Sequence, residues 1–322
     1  MAGTTYVDAF EQALTETDES TLVGQSIYKF GTPIQDRNPG IDAPFAMDVN
    51  ESEKMGLTYS ELSAGNYPMD NVRVVTNLIN GVGIYGMYGK ATHTVANTTQ
   101  TVTNFTTTEK VKPRYTCVEK IGSLYPHVIH GVLFHDMELS MIPGEVMIQT
   151  LTGKGCKHHI PDWELQTPTY PSSLSSPYNI LDYSNCKWGA DGSETAFNNI
   201  VSVNIHATHK KVTSYTGDDG YYLHNDEWSP IKTVVALGLK KEEQSLMSDA
   251  YAGTLRSLTL KFMNGLGYSI TFDSAGNTAL CHGLASVKKL GEIIGYNALF
   301  TVQNPTWTIT DHVADTFYAI PT

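Results

Sequence analysis

Apolar residues in this chain recur mostly at every second position. In SVNIHATH, Val203, Ile205 and Ala207 alternate with Asn204, His206 and Thr208, the period of a strand with one buried face. In RSLTLKFMNGLGYSITFDS, Leu258, Leu260 and Phe262 share a face, Asn264-Gly265 interrupts, and Tyr268, Ile270 and Phe272 share a face again. That pattern predicts a hairpin, because Asn and Gly tolerate the positive φ of a tight reversal. Similar alternation at Met137, Leu139 and Met141, at Val146 and Ile148, and at Trp307 and Ile309 predicts further strands, and frequent Thr and Tyr suit a pleated surface. Helical spacing is scarce. VDAFEQAL sets Val7, Phe10 and Leu14 on one stripe, and KEEQSLMSDAYAG sets Leu246, Met247 and Ala250 inward with Gly253 as a stop. The fold class is mostly β.

Between the periodic segments lie two connectors. Residues 91–108 are half Thr and predict a long hairpin arm or loop. Residues 166–196, with QTPTYPSSLSSPYNI and a Gly/Asp-rich stretch, read as an ordered linker. The chain also echoes itself. His135 and His282 are each followed nine residues on by Gly-Glu, as Gly144-Glu145 and Gly291-Glu292, and INGVGI at 79–84 resembles MNGLGY at 263–268. The echoes are offset by 147 and 184 residues, and the difference of 37 matches an insertion around the Thr-rich segment of a first copy. Chance likeness of short strings is the alternative. The resulting organisation is an N-terminal helical arm over 1–20 and a first domain over 21–165 with a Thr-rich insertion at 91–112. A linker over 166–196 and a second domain over 197–322 follow. The segment KFGTPIQDRNPGIDAPFAMD has three prolines and little periodicity, so with the N-terminal helix it is a candidate for ordering on assembly.

Composition narrows the function. The chain has 322 residues, 41% hydrophobic and 17% charged, which suits a buried core. A net charge of −12 disfavours gripping nucleic acid through its phosphates and is compatible with repelling it. Cys117, Cys156, Cys186 and Cys281 are scattered without a C-x-x-C, so neither a zinc knuckle nor a disulfide scaffold is expected, and pairing of Cys156 with Cys186 stays open. The start, MAGTTYVDAFEQAL, has acidic residues where a signal peptide needs a basic region, and no apolar run reaches the ~18 residues of a membrane span. The chain is expected to be soluble until it meets a partner.

Candidate chemistry weakens residue by residue. His158 and His159 are adjacent and would point to opposite faces of a strand. His130 and His135-Asp136 lack a nucleophile elbow. GDDG at 217–220 lacks the spaced ligands of a calcium loop and reads as a turn, and NGVGIYG reads as a Gly-rich hairpin rather than a dinucleotide fingerprint. No catalytic, cofactor-binding or metal-binding residue is assigned, no cofactor is expected, and the expectation is a protein that is not an enzyme.

From Asn199 onward four elements resemble the tail tube (major tail) proteins of long-tailed phages and related archaeal viruses. They are NIVSVNIHATHKKV; VVALGLKKEEQSLMSDAYAGT, a strand and short helix; the hairpin LRSLTLKFMNGLGYSITFDS; and ASVKKLGEIIGYNALFTVQNPTW. In the first half, LFHDMELSMIPGEVMIQTLTGKGCK is similar to the family's strand, Pro-Gly turn and strand. The resemblance covers most of 115–156 and 197–310 and is closest to members with two tandem domains. It implies two β-sandwich or barrel domains of tail-tube type, forming trimers of pseudo-sixfold symmetry that stack around a channel. DNA would transit that channel without specific binding, in a virion tail made in the host cytoplasm, with tape measure and other tail proteins as partners and no membrane. The family has no catalytic residues to carry over. A capsid, baseplate or surface-lattice component of similar sandwich fold is the alternative, and a β-sandwich hydrolase with an unseen site is a distant third.

Overall fold

The computed structural model describes residues 10–13, 28–31, 40–42, 70–95, 99–103, 115–119, 127–155, 157–159, 176–208, 211–212, 227–228, 230–274, 276–289 and 292–313. The first part of the chain gives β1 (Phe10–Ala13), β2 (Tyr28–Lys29), β3 (Gly40–Asp42) and β4 (Asp70–Asn77), then helix α1 (Val82–Tyr88). Strands β5 (Lys90–Val95), β6 (Thr99–Thr103), β7 (Tyr115–Glu119), β8 (His127–Met141), β9 (Ile148–Gly155) and β10 (Lys157–His159) follow. The second part gives β11 (Tyr178–Leu181), β12 (Lys187–Gly189), β13 (Thr195–Ala196), β14 (Ile200–Thr208), β15 (Lys211–Val212), β16 (Glu227–Trp228) and β17 (Lys232–Leu239). Helix α2 (Gln244–Ala252) then precedes β18 (Leu255–Asn264), β19 (Ser269–Asp273), β20 (Ala279–Lys289), β21 (Glu292–Val302) and β22 (Thr306–Thr310). All described pairings are antiparallel, so the mostly β expectation holds.

Eight strands make the main sheet, in the order β3-β4-β9-β8-β14-β17-β21-β20. Within it one order of four strands is written twice, as β3-β4-β9-β8 and as β14-β17-β21-β20. Apart from β7 in the first set and β15 and β16 in the second, the chain also runs through each set alike: two strands, a helix, a hairpin in the other layer, then two more paired strands. Both sets carry a bulge at the same place. Phe134 lies opposite Gly153 and Asp136 opposite Thr152, leaving one extra residue at His135. Cys281 lies opposite Phe300 and Leu284 opposite Ala298, leaving one extra residue beside His282. A bulge bends the strand and fixes its register, so the repeated spacing measures the strand between bulge and turn. In the first set that turn is Ile142-Pro143-Gly144-Glu145. Glu145 N–H donates to the Ile142 carbonyl at 2.8 Å and Gly144 has φ 93°, as a Pro-Gly reversal of type II requires.

A second sheet, β12-β18-β19-β22-β6-β5, with β11 also on β18, packs across the main one. The shared core joins Val72, Val74, Leu151, Met137, Leu139, Val203, Ile205, Val235, Leu237 and Phe300 with Leu258, Leu260, Phe262, Ile270, Phe272, Trp307 and Ile309. Trp188 meets Phe300 across the layers, ring centroids 5.1 Å apart. A third group, β2-β1-β7-β8-β10, uses the first half of the long strand β8.

Several expectations change. Residues 10–13, expected in an N-terminal helix, form β1, because β2 and β7 offer backbone partners on both sides; the rest of that helix, and most of the proline-rich arm, lie outside the described residues. NGVGIYG is not a hairpin: Val82–Tyr88 form α1, with Gly89 closing it at φ 76°. Its glycines serve close packing, since a Cβ on Gly86 would sit 2.5 Å from the Tyr115 ring and 2.9 Å from Phe134. The INGVGI–MNGLGY echo therefore joins unlike structures. The β18–β19 hairpin forms as expected, but its positive φ belongs to Gly267, while Asn264 uses its side-chain oxygen to accept from Leu266 and Tyr268 N–H at 3.0 Å each. At the start of β9 the buried residues are Met147, just before the strand, and Gln149 and Leu151 in it, one residue out of step with the expected Val146 and Ile148. The Thr-rich segment supplies β5 and β6, and β6 pairs with the distant β22, burying Val102. Over 176–196 the expected linker is packed: Tyr178, Leu181, Cys186 and Trp188 are buried and β11 and β12 pair with β18.

Candidate assembly surfaces

The strands that form the main sheet have one apolar face against the core and one face with a different composition. On β8, Asp136, Glu138 and Ser140 are half-buried between buried Met137, Leu139 and Met141. On β14, Ser202, Asn204, His206 and Thr208 alternate with buried Val203, Ile205 and Ala207. Ala236, Asn297, Leu299, Thr301, His282 and Ala285 continue this outward face across β17, β21 and β20. It holds Ser, Thr, Asn and Ala side chains together with half-exposed Leu299, and Arg73 on β4 and Lys232 on β17 stand exposed at the same alternate positions. A shallow trough of about 560 Å³ runs along it past Ser202, Asn204, Ala236, Gly238, Ala285 and Asn297. Gly238 lets β14 pack closely there, since a Cβ would lie 2.3 Å from Ser202 Oγ.

The junction of the two four-strand sets lies on β8 and β14. Leu139 stands opposite Ile205 and Met137 opposite Ala207 on the core face. On the outward face Asn204 Nδ2 donates to Glu138 Oε1 at 2.6 Å, and His206 Nε2 meets Asp136 Oδ2 at 2.8 Å. This polar pairing went unread from sequence, although the signal is present: LFHDMELS and SVNIHATH carry complementary polar residues two apart. At the far ends of the sheet, β3 pairs only with β4 and β20 beyond Cys281 pairs only with β21, among the described residues. An open strand edge offers unpaired backbone groups to another chain.

Buried polar contacts fix the helices beneath these surfaces. Asp311, after β22, accepts from Gly81 N–H at 2.8 Å and from Val313 N–H at 3.1 Å, so a residue late in the chain caps α1. Tyr88 and Thr233 share a hydrogen bond of 3.1 Å, and burial raises the Tyr88 hydroxyl to about 12. On α2, Asp249 accepts from Trp188 Nε1 at 3.0 Å and from Arg256 Nε and Nη2 at 3.0 and 2.8 Å. The Arg256 hydrogen bonds hold the Asp249 carboxyl below its ordinary range.

The residues weighed for chemistry are dispersed. His135 and Asp136 lie at the β8 bulge, with Asp136 engaged by His206. His158 and His159 are successive on β10, opposite Ile129 and Val128, while His130 faces Lys157. Cys117, Cys186 and Cys281 are free and buried, and burial raises the Cys186 thiol to about 11. Residues 217–220 lie outside the described residues. Among the described residues no three His, Cys, Asp or Glu side chains are grouped to hold a metal ion, and no helix is long and apolar enough to cross a membrane. No protein-family model and no curated protein matches the chain.

Proposed function

We propose that this chain is a structural subunit of a viral tail tube, assembling edge to edge into closed rings that stack around a channel for DNA. The observation that carries the reading is the head-to-tail repetition in the main sheet. One four-strand set joins the next through unlike edges, β8 and β14, and among the described residues the outer edges, β3 and the part of β20 beyond Cys281, take no second strand. Unlike edges that join once within a chain can join again between chains, and such contacts close into a ring or run on as a filament. On this reading the two sets are tandem domains of tail-tube type.

Dimensions support closure at three chains. Twenty-four strands spaced about 4.8 Å apart give a barrel radius of roughly 18 Å, widened by strand tilt, so a duplex about 20 Å wide passes. The second sheet packs on the apolar face, which leaves the outward face to line the channel. Its Ser, Thr, Asn and Ala side chains offer phosphate little to bind, and its carboxylates, Asp136 and Glu138, are already engaged by His206 and Asn204, while Arg73 and Lys232 on the same face carry exposed positive charge. The net charge of −12 acts in the same direction.

Negative-stain microscopy of the concentrated protein tests the reading. Stacked rings with a central hole are expected. Flat sheets or shells would instead favour a capsid, baseplate or lattice component, and compact single particles would exclude both.

A further inference from the structure

The repeated strand order carries more than ring formation: it specifies a register. Ile41 lies opposite Val72 on β4, and Val72 lies opposite Gly153 on β9. In the second set Ile205 lies opposite Val235 on β17, and Val235 lies opposite Phe300 on β21. Gly153 and Phe300 hold the same place, each opposite the residue that precedes the bulge, Phe134 and Cys281. Ile41 of β3 thus corresponds to Ile205 of β14, and Gly40 and Asp42 correspond to Asn204 and His206.

The receiving edge is matched in the same way. Leu139 on β8 lies opposite Gln149, and Ser286 on β20 lies opposite Tyr296. Each is the fifth residue after the residue that precedes its bulge. Within the chain Leu139 receives Ile205. We propose that the β20 edge of one chain receives β3 of a second copy, with Ser286 opposite Ile41, Ala285 opposite Asp42 and Val287 opposite Gly40.

Two observations fit that partner. Ala285 and Ser286 are exposed although they sit in a long strand, which is the state of an edge awaiting a neighbour. On the entering side, β3 pairs only with β4 among the described residues, which leaves it a second edge with which to enter. The proposal rests on the ring reading, and its test separates the two.

Opposed residues of an antiparallel pair have Cα atoms about 4.5–5.5 Å apart, within disulfide reach. Chains carrying Ser286→Cys alone are mixed with chains carrying Ile41→Cys alone, assembled and oxidised. The expected result is that up to about half of the chains, the limit for an equal random mixture in rings of three, enter covalent dimers joining one variant to the other, while Ser286→Cys mixed with Asp42→Cys stays at the unoxidised background. Linking through Asp42→Cys instead overturns the register. Rings by microscopy with no linking in either mixture overturn the β20–β3 contact and leave the tube reading standing; absence of rings from the unaltered protein removes both. Hydrogen exchange on unaltered protein covers the case of variants that do not assemble. Amides of 283–287 gain protection on ring formation, and unchanged exchange there contradicts the proposal.

Discussion

Helices α1 and α2 occupy the same place in the two four-strand sets, yet their surroundings differ. All seven residues of α1 are buried, whereas α2 buries only Leu246 and Asp249 and leaves Tyr251 85% exposed. The cause lies in the rest of the chain. β6 and the distant β22 pair beside α1, Trp307 of β22 meets Tyr88 at 6.0 Å, and Asp311 caps the helix. Among the described residues helix α2 has no such cover and is held mainly by Leu246 and by Asp249, which joins Trp188 to Arg256. One strand order thus supports two helix environments, and the first set depends on the end of the second.

The largest effect expected is at the tie between them. Trp307→Ala removes a ring packed on both Tyr88 and Phe272 and should cost about 3–5 kcal/mol in urea unfolding. A loss under about 1 kcal/mol would mean that β22 does not join the halves. Asp311→Ala removes the cap and strands the buried Gly81 N–H, at about 1–3 kcal/mol. Glu243→Ala, at the α2 N-terminus where no side chain caps the helix, should cost much less.

Asp249→Asn weakens the α2 anchor by about 1–3 kcal/mol near neutral pH. Its sign with pH follows from the lowered carboxyl. A depressed folded value gives stabilisation that is complete above the ordinary value of 3.8 and is lost as pH falls through the depressed one. Denaturation curves of wild type should therefore approach those of the variant only below pH 3.8. The smallest effect concerns the cores. Thr76 and Gln149 face each other in the first set, with Thr76 Oγ1 and both Gln149 amide atoms buried without a partner; the second set has Leu239 opposite Tyr296. Gln149→Met should be neutral or stabilising by about 1 kcal/mol, and a loss above that would reveal an ordered water there.

The alternation at Val203, Ile205 and Ala207 and at Leu258, Leu260 and Phe262 was legible because each strand has a single buried face, and a strand period reports that directly. The His135 and His282 spacing was legible too, since strand length between bulge and turn is local. What sequence could not convey depends on distant partners. The glycines of VGIYGMY read as turn formers, while their role is set by Tyr115 and Phe134 on other strands. In the Thr-rich segment Val102 of β6 is buried against the core, and its partner β22 lies some 200 residues away. The Asp136–His206 and Glu138–Asn204 pairs across the junction are of the same kind.

The most direct test of the account is a high-resolution electron-microscopy map of the assembled rings, in which the strands lining the channel are counted and traced. The account predicts one unbroken antiparallel barrel of about twenty-four strands from three chains, with Asp136, Glu138, Asn204 and Asn297 facing the lumen. A sheet interrupted at the chain boundaries, or those four residues on the outer wall, would contradict it.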